Sequence, residues 1–140
     1  MITYVDASTL LKLIIEENGS DRALTIWAAT DAVALVNLVM VEARAALAAA
    51  HRVRRLTEAQ LRSAVAELEV LVTYLYVVPV SGELVASASD LAEDEGLRGY
   101  DAVHLAAALL IEATVLSSAD SALCAAAARR GLHVANPLAS

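Results

Sequence analysis

Short runs of β-branched and aromatic residues alternate along this chain with longer runs whose apolar positions recur every three or four residues. ITYV, residues 2–5, is the first short run and predicts a buried strand. Leu10, Leu11, Leu13 and Ile14 then predict a helix over 8–17, with Ser8 or Thr9 as its cap and Gly19 as its stop. A second helix over 21–30 precedes AVALV, a strand at 32–36, and LVMVEARAALAAAHR carries a third helix over 38–52. The longest helical run, 57–75, opens on a capping box of Thr57 and Gln60. YVVPV at 76–80 reads as a short strand that Pro79 confines to an edge or ends early. Helices follow at 82–96, stopped by Gly96, and at 101–113. A strand at 113–118, a helix at 120–131 closed by Gly131 and a strand at 132–137 ended by Pro137 complete the pattern. Strands alternating with helices predict an α/β fold, a three-layer α/β/α sandwich around a parallel sheet. Its 140 residues suit one domain spanning 1–140.

Composition adds constraints. The chain is 59% hydrophobic, with no Phe and one Trp, and its many alanines favour helices that approach closely. No apolar segment runs uncharged for the ~18 residues a bilayer span needs. The richest stretch, VALVNLVMVEARAALAAA, is broken by Asn37, Glu42 and Arg44. Asp6 stands where a signal peptide would be uncharged, so a cytoplasmic protein without membrane attachment is expected. Cys124 is alone, which excludes an internal disulfide and a cysteine-built zinc site. More apolar residues than one small core holds point to a homo-oligomer or a tightly bound partner. The net charge of −7 argues against a protein that coats nucleic acid nonspecifically. It leaves room for an enzyme that meets phosphate through metal ions.

Open parallel sheets gather function at the carboxyl ends of their strands. Asp6 follows the first strand and Asp120 follows the strand ATVLSS. Glu42 lies early in the helix after the second strand, and Asp101 opens a helix after LRGY. Glu16, Glu17, Glu67, Glu69 and the run Glu93, Asp94, Glu95 lie on polar stretches and read as solvated faces. Four convergent carboxylates with no cationic neighbour would repel one another, and a hard divalent cation removes the repulsion. Oxygen-only ligation selects Mg²⁺ or Mn²⁺ over zinc, which suits phosphate chemistry. The structural alternatives are plain. Asp101 and Asp120 also read as helix N-caps, whereas Glu42 has no capping role and does not face Arg44 two residues on.

Ser8 and Ser118 either orient a water or cap helices, and neither has an adjacent base that would make it a nucleophile. His104, one turn beyond Asp101, reads first as a satisfied buried histidine within reach of the site. Arg98 either braces the site or bonds a helix end. Arg44, Arg52, Arg54 and Arg55 either track a phosphate backbone, pair with acidic residues of a partner or solvate helix ends, and Lys12 is a weaker substrate contact.

Taken together, YVDASTLLKL, LVNLVMVEARAAL, LRGYDAVHLAAAL and VLSSADSALCAAAARRGLHVANP resemble, in order and over the whole chain, the PIN-domain ribonucleases, and within them the VapC-type toxins. The resemblance makes Asp6, Glu42, Asp101 and Asp120 the four acids, with Ser8 and Ser118 as the adjacent hydroxyls and Asn37 where serine is frequent. Alanine in SSAD departs from the larger residue common there and removes no ligand. What the resemblance implies is a Mg²⁺- or Mn²⁺-dependent endoribonuclease, usually a homodimer, neutralised by a small antitoxin protein. Two rivals remain at this point. One is a catalytically idle module that keeps the antitoxin-binding surface. The other is a receiver whose aspartate accepts phosphate, a fold that ordinarily needs paired aspartates after strand one and a late lysine, both lacking here.

Overall fold

Residues 1–139 are described by a computed structural model. The elements run β1 (Ile2–Val5), α1 (Ala7–Ile14), α2 (Ser20–Ala28), β2 (Ala32–Val36), α3 (Val39–Arg52), α4 (Glu58–Val72), β3 (Tyr76–Val78), α5 (Gly82–Glu95), α6 (Gly99–Leu110), β4 (Val115–Ser117), α7 (Ser121–Arg129) and β5 (His133–Ala135). The five strands form one sheet in the order β3-β2-β1-β4-β5, and each neighbouring pair is parallel. The inner strands read as continuous apolar runs because helices cover both faces of the sheet. Tyr4, Val5, Leu35, Val36 and Leu116 are almost wholly buried, while Tyr76 and Val134 on the outer strands are exposed.

Right-handed crossovers decide which face each helix takes. The chain steps from β1 outward to β2 and β3, which places α1 to α4 on one face. It then crosses back to β4 and β5, which places α5 to α7 on the other. The packing agrees: α1 touches α2, α3 and α4, whereas α6 touches α5 and α7. Leu10, Leu47 and Leu68 fill the first layer, and Leu84, Leu105 and Leu123 fill the second. Ala43, Ala107, Ala108, Ala126 and Ala127 are fully buried, and their small side chains let the helices sit close. The direction of travel reverses between β1 and β4, so the crevice at their carboxyl ends is the topological switch point.

Several boundaries differ from the sequence expectation. α1 begins at Ala7 and is capped by Asp6, not by Ser8 or Thr9, and it ends at Ile14 where Ile15 turns extended. α4 closes at Val72, short of the expected 75. α6 begins at Gly99, which makes Asp101 its third residue and excludes it as a cap. β3 ends at Val78, as Pro79 requires. Among the described residues no helix is long and apolar enough to cross a membrane.

Candidate active site

Asp6 is buried at the end of β1, where its carboxylate caps α1. Its Oδ1 accepts from the Thr9 N–H at 3.2 Å and from the Ser8 hydroxyl at 2.6 Å. Its Oδ2 accepts from the Ser118 hydroxyl at 2.6 Å. Each hydroxyl also accepts a backbone N–H from the turn after β4: Ala119 to Ser8, and Asp120 to Ser118, both at 2.9 Å. Ser8 and Ser118 thus tie the β1–α1 corner to the β4–α7 turn, across the switch point, with Asp6 between them. Neither caps a helix through its own side chain; both donate to Asp6, whose carboxylate caps α1.

Asp120 caps α7 by accepting from the Leu123 N–H through Oδ1 at 2.9 Å. Its Oδ2 accepts from Arg98 Nη2 at 3.1 Å, and Asp101 Oδ2 accepts from Arg98 Nε at 3.2 Å. One guanidinium therefore spans two of the four acids, which corrects the expectation that they lack a cationic neighbour. Arg98 occupies the N-cap position of α6, three residues before Asp101, and its exposed side chain can reach both carboxylates from there. Burial, followed by the charge of Asp120, still raises the Asp101 carboxyl above the ordinary aspartate range, against the opposing pull of Arg98. Behind this pair lies Cys124, whose thiol is pushed up to about 11 by burial and then by the charges of Asp6 and Asp120. It stays protonated and donates to the Ser118 carbonyl.

Glu42 stands in the first turn of α3, immediately beyond β2. Its Oε1 is buried, lies 2.9 Å from His104 Nε2, and has no properly directed hydrogen bond among the described residues. His104 is itself buried, and its Nδ1 lies 2.8 Å from the Tyr4 hydroxyl. Burial holds the Tyr4 phenol far above its ordinary range, so it remains a hydrogen donor. The histidine is both satisfied in the core and in contact with the site. Tyr4 was not singled out by sequence, where its only signal is an aromatic ring inside an aliphatic strand. Glu42, Arg98 and Asp101, with Val41, Ala45 and Tyr100, line an open cleft of about 500 Å³. The larger cleft, about 640 Å³ and mostly apolar, lies between α1, α2 and α4 and contains none of the four acids.

The other cations fall elsewhere. Arg52 closes α3 at its far end, about 15 Å along the axis from Glu42. Arg55 pairs with Glu17 at 3.4 Å, and the buried Lys12 pairs with the same carboxylate at 2.9 Å, a structural contact. Arg44 and Arg54 are exposed and make no ion pair among the described residues.

The donor set is oxygen-only, and the unpartnered buried Oε1 of Glu42 is an acceptor that a hard cation would satisfy. In the arrangement described, no three acidic, histidine or cysteine side chains among the described residues form a ready cage, and Arg98 holds Asp101 and Asp120. The residues therefore fit such a cation in kind, and loading it requires Arg98 to yield.

Fold and site define an α/β/α protein whose chemistry-bearing groups are carboxylates at the switch point of a parallel sheet. Residues 3–129 match the PIN domain family. Ribonuclease VapC45 of Mycobacterium tuberculosis is 40% identical over 110 residues, covering 79% of this chain and 76% of that protein. The crystal structure of M. tuberculosis VapC20, a Sarcin-Ricin loop cleaving toxin, superposes with a TM-score of 0.71 at 23% identity, covering 89% of this chain and 94% of that one. A toxin-antitoxin complex from Klebsiella pneumoniae contains a chain matching at TM-score 0.64 and 16% identity, over 85% of this chain and 87% of that one. The chain belongs to the PIN-domain family, and within it to the VapC-type ribonuclease toxins.

Proposed function

We propose that this single-domain chain hydrolyses RNA phosphodiester bonds with Mg²⁺ or Mn²⁺ held by Asp6, Glu42, Asp101 and Asp120. The observation that supports this reading is the buried Glu42 oxygen left without a hydrogen bond, in a cleft that Asp101 also lines and beside which Arg98 joins Asp101 to Asp120. The bound cation would supply an activated water and neutralise charge on the phosphoryl oxygens. The chain's own residues do the rest. Ser8, Ser118 and the Thr9 N–H fix Asp6 through three hydrogen bonds, so its position is set before substrate arrives. Arg98, 80% exposed, pairs with two of these acids; released from Asp101 and Asp120, it can pair with a substrate phosphate. Arg52, Arg54 and Arg55 lie at the remote end of α3, away from Glu42.

A small antitoxin protein belongs to the same reading. The apolar cleft between α1, α2 and α4 supports it, since Leu24 and Tyr74 on its rim are exposed and half-buried Trp27 lines it. A partner seated there would shift the emission of Trp27, the chain's only tryptophan.

The test is incubation of the purified protein with total RNA, with Mn²⁺ or with excess EDTA, beside Asp6→Asn and Asp101→Asn. Discrete fragments that require the cation and vanish in both variants are expected. Equal cleavage in EDTA would overturn the reading.

A further inference from the structure

Three of the four acids have donors that set their direction: Asp6 has two serines and a backbone N–H, and Asp101 and Asp120 share Arg98. Glu42 has only the close approach of His104. We propose that Tyr4 and His104 form a buried positioning pair for Glu42. In this pair the Tyr4 hydroxyl selects the imidazole tautomer with hydrogen on Nε2, and that edge holds the Glu42 carboxylate in place. The inference rests on the cation-dependent reading above.

The argument runs outward from the sheet. Tyr4 is fully buried at the centre of β1, and its oxygen accepts from the Val36 N–H at 3.2 Å. The phenol hydrogen then needs an acceptor, and His104 Nδ1 lies 2.8 Å away. Ring packing holds the pair together, edge to face, with centroids 5.8 Å apart and planes at 61°. Suppose instead that Nδ1 carried the hydrogen. The phenol hydrogen would then lose its acceptor, and the bare Nε2 lone pair would face a carboxylate oxygen at 2.9 Å. Both outcomes are costly where water is excluded. With hydrogen on Nε2, both conflicts disappear.

The Nε2–Oε1 contact is short but off the N–H direction, so His104 would hold the oxygen by charge–dipole attraction and leave its lone pairs open to a cation. Supporting groups behind metal-binding side chains typically change affinity by about 10- to 100-fold.

Mn²⁺ binding to the RNA-free protein, followed by calorimetry and by electron paramagnetic resonance, tests this without reference to activity. His104→Leu is expected to weaken binding about tenfold or more, and His104→Gln, which keeps a donor near the Nε2 position, to restore most of it. Tyr4→Phe, which keeps the ring packing, is expected to weaken binding several-fold, by about 2- to 5-fold. The ¹⁵N resonances of the His104 ring in the unmodified protein should report a bare Nδ1 and a protonated Nε2. Unchanged Mn²⁺ affinity in folded His104→Leu and Tyr4→Phe proteins would overturn the inference, as would hydrogen on Nδ1. Should His104→Leu fail to fold, Tyr4→Phe and the ring resonances decide the matter. Binding that depends on Asp6 but not on Tyr4 or His104 removes this inference alone. No Mn²⁺ binding by the unmodified protein removes the cation-dependent reading and this inference with it.

Discussion

Asp101 carries the clearest conflict between stability and chemistry. Its folded-state pKa is raised, by burial first and then by Asp120, so the folded protein holds this proton more tightly than the unfolded chain does. Stability is therefore lost as pH climbs from the ordinary aspartate range through the raised value, and it stays lost at neutrality. Asp101→Asn should raise the melting temperature at pH 7 while abolishing cleavage, and the gain should fade as pH falls below the ordinary aspartate range. Thermal scans across pH check both halves. Ser118→Ala works the other way. It strips a donor from Asp6 and an acceptor from the Asp120 N–H, and should cost about 1–3 kcal/mol by urea denaturation. The role of Ser118 was legible in the sequence only as an alternative, water or cap. Its partner, Asp6, lies 112 positions away in the chain.

At the scale of elements, the local signals were the most legible. The capping box of Thr57 and Gln60 forms as the sequence predicts, with the Thr57 hydroxyl accepting from Gln60 N–H and the Gln60 side chain accepting from Thr57 N–H. Thr57→Ala should cost about 1 kcal/mol by denaturation and leave cleavage unchanged, because α4 begins far from the acids. The tie between α5 and α7 was not legible. Glu95, read from sequence as solvated, accepts from Arg129 at 2.7 Å and from Arg130 at 2.9 Å. Those two hydrogen bonds, Arg129 first, hold its carboxyl below the ordinary range. The stability they contribute is present above the ordinary glutamate range and is lost as pH falls through the lowered value. Glu95→Gln should lower the melting temperature at neutral pH and converge with the parent protein in acid. No helical period encodes this contact, because two elements separated by a strand and a helix make it.

For the molecule as a whole, a cation at the switch point would bind the folded chain and not the unfolded one. Mn²⁺ should raise the unfolding midpoint, by about 2.7 kcal/mol of stability at a hundredfold excess over its dissociation constant. Asp6→Asn should abolish that rise, although the variant remains folded in the cation-free state. Calorimetric scans in otherwise cation-free buffer, with and without Mn²⁺, measure it.

The sequence by itself determined the strand–helix alternation and the parallel sheet, with Asp6 and Asp120 just beyond β1 and β4. Hydrophobic periodicity and β-branched runs are local properties, and a βαβ unit admits in effect one handedness. Tertiary structure alone decided the charge balance and the side-chain partners within the site. Arg98 was visible beside Asp101, yet only the meeting of α6 with the α7 N-terminus brought Asp120 to the same guanidinium. Tyr4 and His104 stand 100 positions apart and share a hydrogen bond because α6 packs across the central strands. Distant side chains meet by the geometry of layers, and no local period records that.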